Sequence, residues 1–297
     1  MSAVDKLLNR LIELDDAVDY IDQNISLDSV REVALRGVAI QSLSIFEDFL
    51  RDRSKEWANG ITVARITAGQ LPGGSSGFSD QIVRSLPKRF RELDEQGRQN
   101  LVSELGQTLA SFNSGSVIGH DLFFSWSGSN IQPADIESFV GLVGLSGGWN
   151  ELTKVWNSID KSFPGNVSAK SVVETVSKLR HTMAHDPNSS VDSIAVRAAP
   201  RKVRLASVLI DLCVSSAVSL VADGKSVPKS ISSSLRIRSV IRDGGKWSEF
   251  PPGKTRALRR HDTLSIALKE SHIRAKNSGE VVIVYDGNQI LDWRTNI

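Results

Sequence analysis

The chain has 297 residues, of which 40% are hydrophobic and 24% charged, and its formal net charge is +2. This composition is typical of a folded protein with a sizeable core, and it argues against disordered, collagen-like and disulfide-stabilised classes. Cys213 is the only cysteine, which excludes an internal disulfide and a cysteine zinc site, and charges throughout residues 1–16 argue against a signal or transit peptide.

Helical patterns begin at the N-terminus. Apolar residues at alternating steps of four and three predict a first helix, with its seam at Leu7, Leu11, Leu14, Val18, Ile21 and Ile25. A second long helix is predicted from about residue 28 to 57. The Gly- and Ser-rich stretch 71–77 predicts a loop, and a further helix is expected near 88–111. Residues 114–130 predict a second loop, whose aromatic residues (Phe123, Phe124 and Trp126) are expected to pack back on the body.

Four more helices are predicted before residue 224. Pro133 is suited to the first helical position of one, and another covers about 149–163. The next begins after an N-cap near Ser168 and ends before Pro187. The last covers about 201–222, after Pro200, and its apolar run 205–221 is interrupted by Asp211 and serines, so we do not expect a membrane span. We expect a cytoplasmic protein.

The composition changes after residue 224. Residues 225–234 are typical of a linker, and residues 235–297 predict a ββαββ unit whose last hairpin turns at 286–288. From residue 225 onward, 14 Lys and Arg stand against 7 Asp and Glu, so this tail is basic while residues 1–224 are acidic. The predicted fold is therefore mainly α, with a helical domain at 1–224 followed by a small basic α+β domain at 235–297. Either a polyanion partner or a solvated basic surface accounts for the charge.

Residues 178–187, KLRHTMAHDP, form the segment with the clearest chemistry. Arg180 offers a permanently charged, bidentate donor for a phosphate. His185 offers an imidazole, which can exchange a proton near neutral pH, as activation of a ribose 2′-OH requires. Arginine and histidine near the end of one helix are thus suited to RNA cleavage without a metal.

The spacing alone is not specific, because Arg256 and His261 repeat it in a predicted strand-and-loop region. Arg180 and His185 also fit a surface role, since cations are favourable near a helix C-terminus. His181 and His185 have metal-ligand spacing with Asp186 as a third ligand, but no further His or Cys lies nearby. The helical context favours 180–185 over the second match.

Residues 1–222 resemble the HEPN superfamily, which consists of small helical bundles. The pattern that carries the resemblance is Arg180, the polar His181, and then His185. The helix containing SIFEDFL (44–50) looks like the aromatic and acidic helix of that family. Residues 134–149 are similar to the segment before the motif helix in branches associated with ribosomal L-PSP proteins. Asparagine is commonest where this chain has His181, and residues 69–130 do not map onto the family.

The resemblance implies a metal-independent endoribonuclease that needs no cofactor. Relatives generally dimerise with two motifs facing one cleft, and they leave a 2′,3′-cyclic phosphate and a 5′-OH. On this basis Arg180 and His185 are catalytic, His181 supports them, and Glu47 holds Arg180. Such proteins serve as toxins or antiviral defence effectors, with RNA as substrate and a regulatory or antitoxin protein as partner. Others are inactive scaffolds that bind nucleic acid or protein, and this remains the alternative.

Two groups of basic residues are candidate RNA contacts, because phosphate contacts dominate nucleic-acid affinity. The first follows the motif, at Arg197, Arg201, Lys202 and Arg204. The second lies on a predicted four-stranded face, at Arg236, Arg238, Arg256 and Arg259. The tail weakly resembles a small bacterial family of unknown function, through Trp247, 259–260, Thr263, Ala267, 281–283 and 286–287. Its face is equally suited to a protein partner.

Overall fold

A computed structural model describes residues 1–159, 168–186 and 189–297. Helices dominate residues 1–222 and a five-stranded mixed sheet occupies the C-terminal part, which confirms the mainly helical layout followed by an α+β part. The helices are α1 (Ala3–Asn24), α2 (Asp28–Val63), α3 (Gly74–Glu92), α4 (Glu95–Ser111), α5 (Pro133–Leu142), α6 (Gly148–Ile159), α7 (Ala169–His185), α8 (Ser193–Ala222) and α9 (Leu264–Ser278).

The first two helices form a long antiparallel pair. Ser2 caps α1 in a capping box with Asp5, and the predicted seam is buried from Leu7 to Ile21. Helix α2 is longer than predicted. Its buried stripe continues past the predicted end through Trp57 and Ile61, so packing on α8 carries it to Val63.

The stretch predicted as a loop at 71–77 is only partly a loop, because α3 begins at Gly74. Gly73 approaches the chain closely, with its N–H donating to the Leu142 carbonyl at 3.0 Å. A Cβ there would lie 2.8 Å from that oxygen, so only glycine fits. The single helix predicted near 88–111 is instead two helices. The break falls at 93–94, where the Asp94 side chain accepts from the Gly97 N–H at 2.8 Å and caps α4.

The aromatic loop packs as predicted. Phe123, Phe124 and Trp126 are all fully or almost fully buried. Phe123 meets Phe78 of α3 edge to face, with centroids 4.7 Å apart, and Phe124 meets Trp57 of α2 at 5.2 Å. Such pairs stabilise beyond simple burial. The loop therefore belongs to the core and holds α2 and α3 together.

Helices α5 to α8 complete the body. Pro133 opens α5 and Ser168 caps α7, both as predicted. The predicted end of α6 at Phe163 and the stop at Pro187 lie outside the described residues.

Helix α8 begins at Ser193, eight residues before the predicted start at 201, and runs through Pro200. Proline removes one helical hydrogen bond, but burial of Val196, Ala199 and Val203 on both sides holds the turn in place. This helix is long and apolar enough to cross a membrane, although no span is expected from its interrupted apolar run. Most of its apolar stretch is buried inside the protein, so here it is a core helix.

The sheet has one strand more than predicted. Its strands are β1 (Ile237–Asp243), β2 (Lys246–Phe250), β3 (Arg259–His261), β4 (Val281–Asp286) and β5 (Gln289–Arg294), in the order β3-β2-β1-β4-β5. β1 and β4 are parallel, and the other pairs are antiparallel. The short β3 was missed because its residues, RRH, carry no alternating apolar pattern.

Both faces of the sheet are covered at its centre. Helix α9 packs on the face that carries Val240, Val282 and Val284. The opposite face places Ile283 and Trp293 in the main core of the helical body. The connecting residues 225–234 are held as well, because Glu151 accepts from the Ser232 N–H at 2.8 Å and Ile231 is fully buried.

Candidate active site

Helix α7 places the Arg180–His185 pair at the surface. Its buried stripe, which includes Val172, Val176 and Met183, faces the core. Arg180 is half-buried and His185 is exposed in the last turn. The two side chains meet, with Arg180 Nη1 3.5 Å from His185 Nε2. One phosphate can therefore contact both groups at once.

His181 lies next to this pair, as the spacing of four residues along a helix requires. Its ring centroid is 4.9 Å from that of His185, with the planes tilted by 52°. His181 is exposed, so both imidazoles are open to solvent and to a substrate. The structure thus brings the three predicted catalytic residues into one cluster.

The end of α7 is anchored by α2. The Arg36 guanidinium donates to the Asp186 carbonyl at 2.9 Å and also to the Ser189 carbonyl. Arg36 pairs in addition with Glu32 at 3.0 Å on its own helix. A cation on these carbonyls stabilises the helix end beside His185. Sequence reasoning missed Arg36, because nothing in its local pattern indicates a contact 150 residues away.

Glu47 was expected to hold Arg180, but its carboxylate is used differently. It is buried, and Oε1 accepts from the Ile131 N–H at 2.8 Å. Within residues 1–159 and 168–186, Glu47 makes no ion pair with Arg180. Burial raises the pKa of Glu47, and the Ile131 hydrogen bond and the cations Arg51, Lys88 and Arg180 partly offset the increase. Its link to Arg180 is therefore electrostatic and lacks a direct contact.

No metal centre is evident among the residues that the structure describes, since no three His, Cys, Asp or Glu side chains group with ligand geometry. The histidines of the cluster, His181 and His185, stand without a third ligand there.

The predicted RNA contacts that follow the motif differ in exposure. Arg197 pairs with Asp22 through two hydrogen bonds of 2.7 and 2.6 Å. Arg201 is exposed and Lys202 half-buried. Arg204 is buried, 3.5 Å from Asp15, so its prediction as an RNA contact is wrong. Arg204 lies on the buried side of α8. A pattern of apolar residues does not predict an arginine at such a position.

The predicted basic face of the tail is only partly open. Arg238 is buried under α9 between Glu249, at 2.5 Å, and Glu280, at 2.7 Å, so it cannot contact RNA. Arg236 pairs with Glu280 and Arg259 with Glu270, both at exposed positions. Arg256 is exposed as well.

The second Arg-x4-His match also fails as a site. His261 is buried on β3, 3.7 Å from Glu249 and beneath the same helix. Its imidazole Nε2 has no hydrogen-bond partner in the described part of the chain. A buried imidazole is closed to a substrate, so only the match at 180–185 remains a candidate.

Comparison of the chain with protein-family models, with curated proteins and with solved structures finds no match.

Proposed function

We propose that the chain is a metal-independent endoribonuclease of the HEPN type. The observation that carries the proposal is the contact of Arg180 and His185 at the exposed end of α7, at 3.5 Å between Nη1 and Nε2. A fixed cation and a titratable imidazole side by side are what a phosphodiester cleavage without a metal needs. In a homodimer, the same motif of a second copy would face this pair and complete the site.

The reaction begins when the RNA 2′-OH attacks the adjacent phosphorus and His185 accepts its proton. The bond from phosphorus to the 5′-oxygen then breaks, and that oxygen takes a proton. The products are a 2′,3′-cyclic phosphate and a 5′-OH. Arg180 holds the phosphate and stabilises the charge that develops on its oxygens in the transition state. His181, or an imidazole of a second copy, supplies the proton to the leaving oxygen.

This activity fits a toxin or an antiviral defence effector that acts on cytoplasmic RNA, restrained by a regulatory or antitoxin protein. The second candidate function is a non-catalytic scaffold that binds nucleic acid or protein. One observation favours it: Glu47, the expected holder of Arg180, is hydrogen-bonded to the Ile131 backbone instead. An arginine without that support is less rigidly placed than one held by a carboxylate, and catalysis depends on precise placement.

Cleavage in EDTA separates these functions. Purified protein is incubated with tRNA and with total bacterial RNA, and the new RNA ends are sequenced. We expect fragments that end in 2′,3′-cyclic phosphate, and a loss of at least about 100-fold in rate for His185→Ala. Arg180→Lys keeps the charge but loses the bidentate geometry, and it should also be slow.

The matched control is Lys170→Ala, which removes an exposed cation from the same helix. Cleavage by wild type that persists in His185→Ala would refute the proposed mechanism, and so would cleavage that EDTA abolishes. If the wild-type protein binds RNA but does not cleave it, the result supports the non-catalytic scaffold.

A further inference from the structure

A cationic cleft lies between α2 and α3. Its basic residues are Arg51 and Lys55 on α2 and Lys88 and Arg89 on α3, and Trp126 of the aromatic loop lines it; we call this the α2–α3 cleft. None of these residues belongs to the predicted site. Two carboxylates, Glu92 and Asp121, also line the cleft, so its basic side chains outnumber its acidic ones.

Two of the cations converge on one indole. Lys88 Nζ lies 4.5 Å from the centroid of the Trp126 ring, and Arg51 Cζ lies 5.2 Å from it. Trp126 is 1% exposed, so it is a fixed support for both side chains. Cation–π contacts of this kind hold long basic side chains in place and reduce the entropy lost when a ligand binds.

The charges of the cleft are unequally neutralised. Arg51 pairs with Asp48 at 2.7 Å, Lys55 with Asp52 at 3.5 Å and Arg89 with Glu92 at 3.6 Å.

Lys88 differs from these cations. It is half-buried, and no carboxylate in the described parts of the chain lies within ion-pair distance of it. Burial lowers the pKa of Lys88, and the positive charge of Arg51 lowers it further, against the opposing effects of Glu92, Glu47 and Asp135. An anion between Lys88 and Arg51 would relieve this repulsion.

One buried carboxylate is within electrostatic range of both the cleft and the catalytic cluster. Glu47 and Arg51 are one helical turn apart on α2, and Glu47 feels the charges of Arg51, Lys88 and Arg180 together. The basic residues of the cleft and Arg180 therefore surround the same part of α2.

We propose that the α2–α3 cleft binds a backbone phosphodiester of the RNA strand, other than the one that is cleaved, through Lys88 and Arg51. This inference depends on the proposed function for the identity of the strand. Phosphate contacts of this kind give affinity without base specificity, and they make binding salt-dependent.

The experiment measures binding apart from cleavage. A short single-stranded RNA with 2′-O-methyl riboses cannot be cut by 2′-OH attack, and its affinity is followed by fluorescence anisotropy over a range of salt concentrations. We expect Lys88→Gln and Arg51→Gln each to weaken binding roughly 3- to 10-fold, and to reduce the slope of log affinity against log salt by roughly 0.7. Lys88→Arg keeps the charge and should bind like wild type.

The control is Lys170→Gln, which changes an exposed lysine of α7 that pairs with Glu174 and does not line the cleft. Unchanged affinity and slope in both Gln variants would overturn the inference, even if His185→Ala abolishes cleavage as proposed. Displacement of the RNA by inorganic phosphate at the same concentration of phosphate groups would also overturn it, because the cleft would then be a site for a free anion. Cleft-dependent binding by a wild type that does not cleave would support the inference and refute the ribonuclease.

Discussion

Asp292 is a buried carboxyl whose pKa the fold raises. It lies on β5 and is buried, with Oδ2 accepting from Arg294 at 3.1 Å and Oδ1 without a hydrogen-bond partner in the described chain. Burial raises the pKa of Asp292 to about 6, against the opposing effect of Arg294. The folded protein therefore binds this proton more tightly than the unfolded chain does.

A raised carboxyl pKa stabilises the fold at low pH. The contribution of Asp292 is full below the unfolded pKa of 3.8 and is lost as the pH rises through about 6. The side chain that Asp292→Asn introduces is neutral at every pH. The free energy of unfolding of the variant minus that of wild type should therefore increase by about 2 kcal/mol from pH 4 to pH 7. Urea unfolding at several pH values measures this, with the exposed Asp262→Asn as the control. A constant difference between wild type and Asp292→Asn would contradict the assignment.

At the scale of elements, the contacts of Arg36 on α2 with the end of α7 lead to a separate prediction. Arg36→Ala removes the donors to the Asp186 and Ser189 carbonyls, so the last turn of α7 should open more often. Hydrogen exchange should accelerate at 182–186 and leave the middle of α8 unchanged. The control is Arg31→Ala, which removes an arginine of the same helix that pairs with Asp22 at 2.7 Å. Equal exchange at 182–186 in wild type and Arg36→Ala would show that other contacts hold the turn.

A buried polar network joins α2, α8 and β5. The fully buried Asp211 accepts from Arg53 Nε at 2.7 Å and from Trp293 Nε1 at 2.8 Å. Arg53 also donates to Ser215 at 2.9 Å and to the Ile297 carbonyl at 3.1 Å. The three elements thus share one carboxylate, which charge-assisted hydrogen bonds satisfy.

Asp211→Ala should destabilise the protein by up to about 3–5 kcal/mol, because it removes the buried one of the two carboxylates that pair with Arg53 and leaves only the half-buried Glu56. The double variant Arg53→Met/Asp211→Leu removes both charges and should recover much of that loss. Chemical denaturation of the set measures the coupling. Asp223→Ala, an exposed carboxyl at the end of α8, is the control. If the double variant loses as much stability as Arg53→Met and Asp211→Leu lose in sum when measured singly, the buried-charge explanation is refuted.

For the whole molecule, the question is whether the sheet and the helical body unfold together. Trp293 of β5 is fully buried, and its ring meets Phe49 of α2 edge to face at 6.1 Å. Trp293→Ala should cost about 3–5 kcal/mol, and the loss should appear in both parts of the chain.

Hydrogen exchange in mild denaturant reports on α8 and α9 separately. We expect the most protected amides of the two helices to have similar free energies of opening in wild type. In Trp293→Ala, both free energies should decrease together. A fall confined to α9 would show two units that unfold independently, as the linker composition of 225–234 predicts. Trp247→Ala, on the sheet face covered by α9, is the comparison for a tryptophan outside the main core.

The sequence by itself determined the helices and the hairpin whose signals are local. The seam of α1, the proline that opens α5, the Ser168 cap and the hairpin of β4 and β5 all follow from periodicity or turn chemistry within a few residues. The cluster at 180–185 was found for the same reason, because its residues lie on one helix and the helical repeat brings them together.

Tertiary structure alone decided which charges are accessible and what holds them. Arg204 and Arg238 are arginines like Arg201 and Arg256 in the sequence, yet the first two are buried against carboxylates from distant segments. Arg36, Asp211 and the α2–α3 cleft likewise depend on contacts between residues far apart in the chain. Burial is a property of the packed elements, and no local pattern specifies which helix will cover a given side chain.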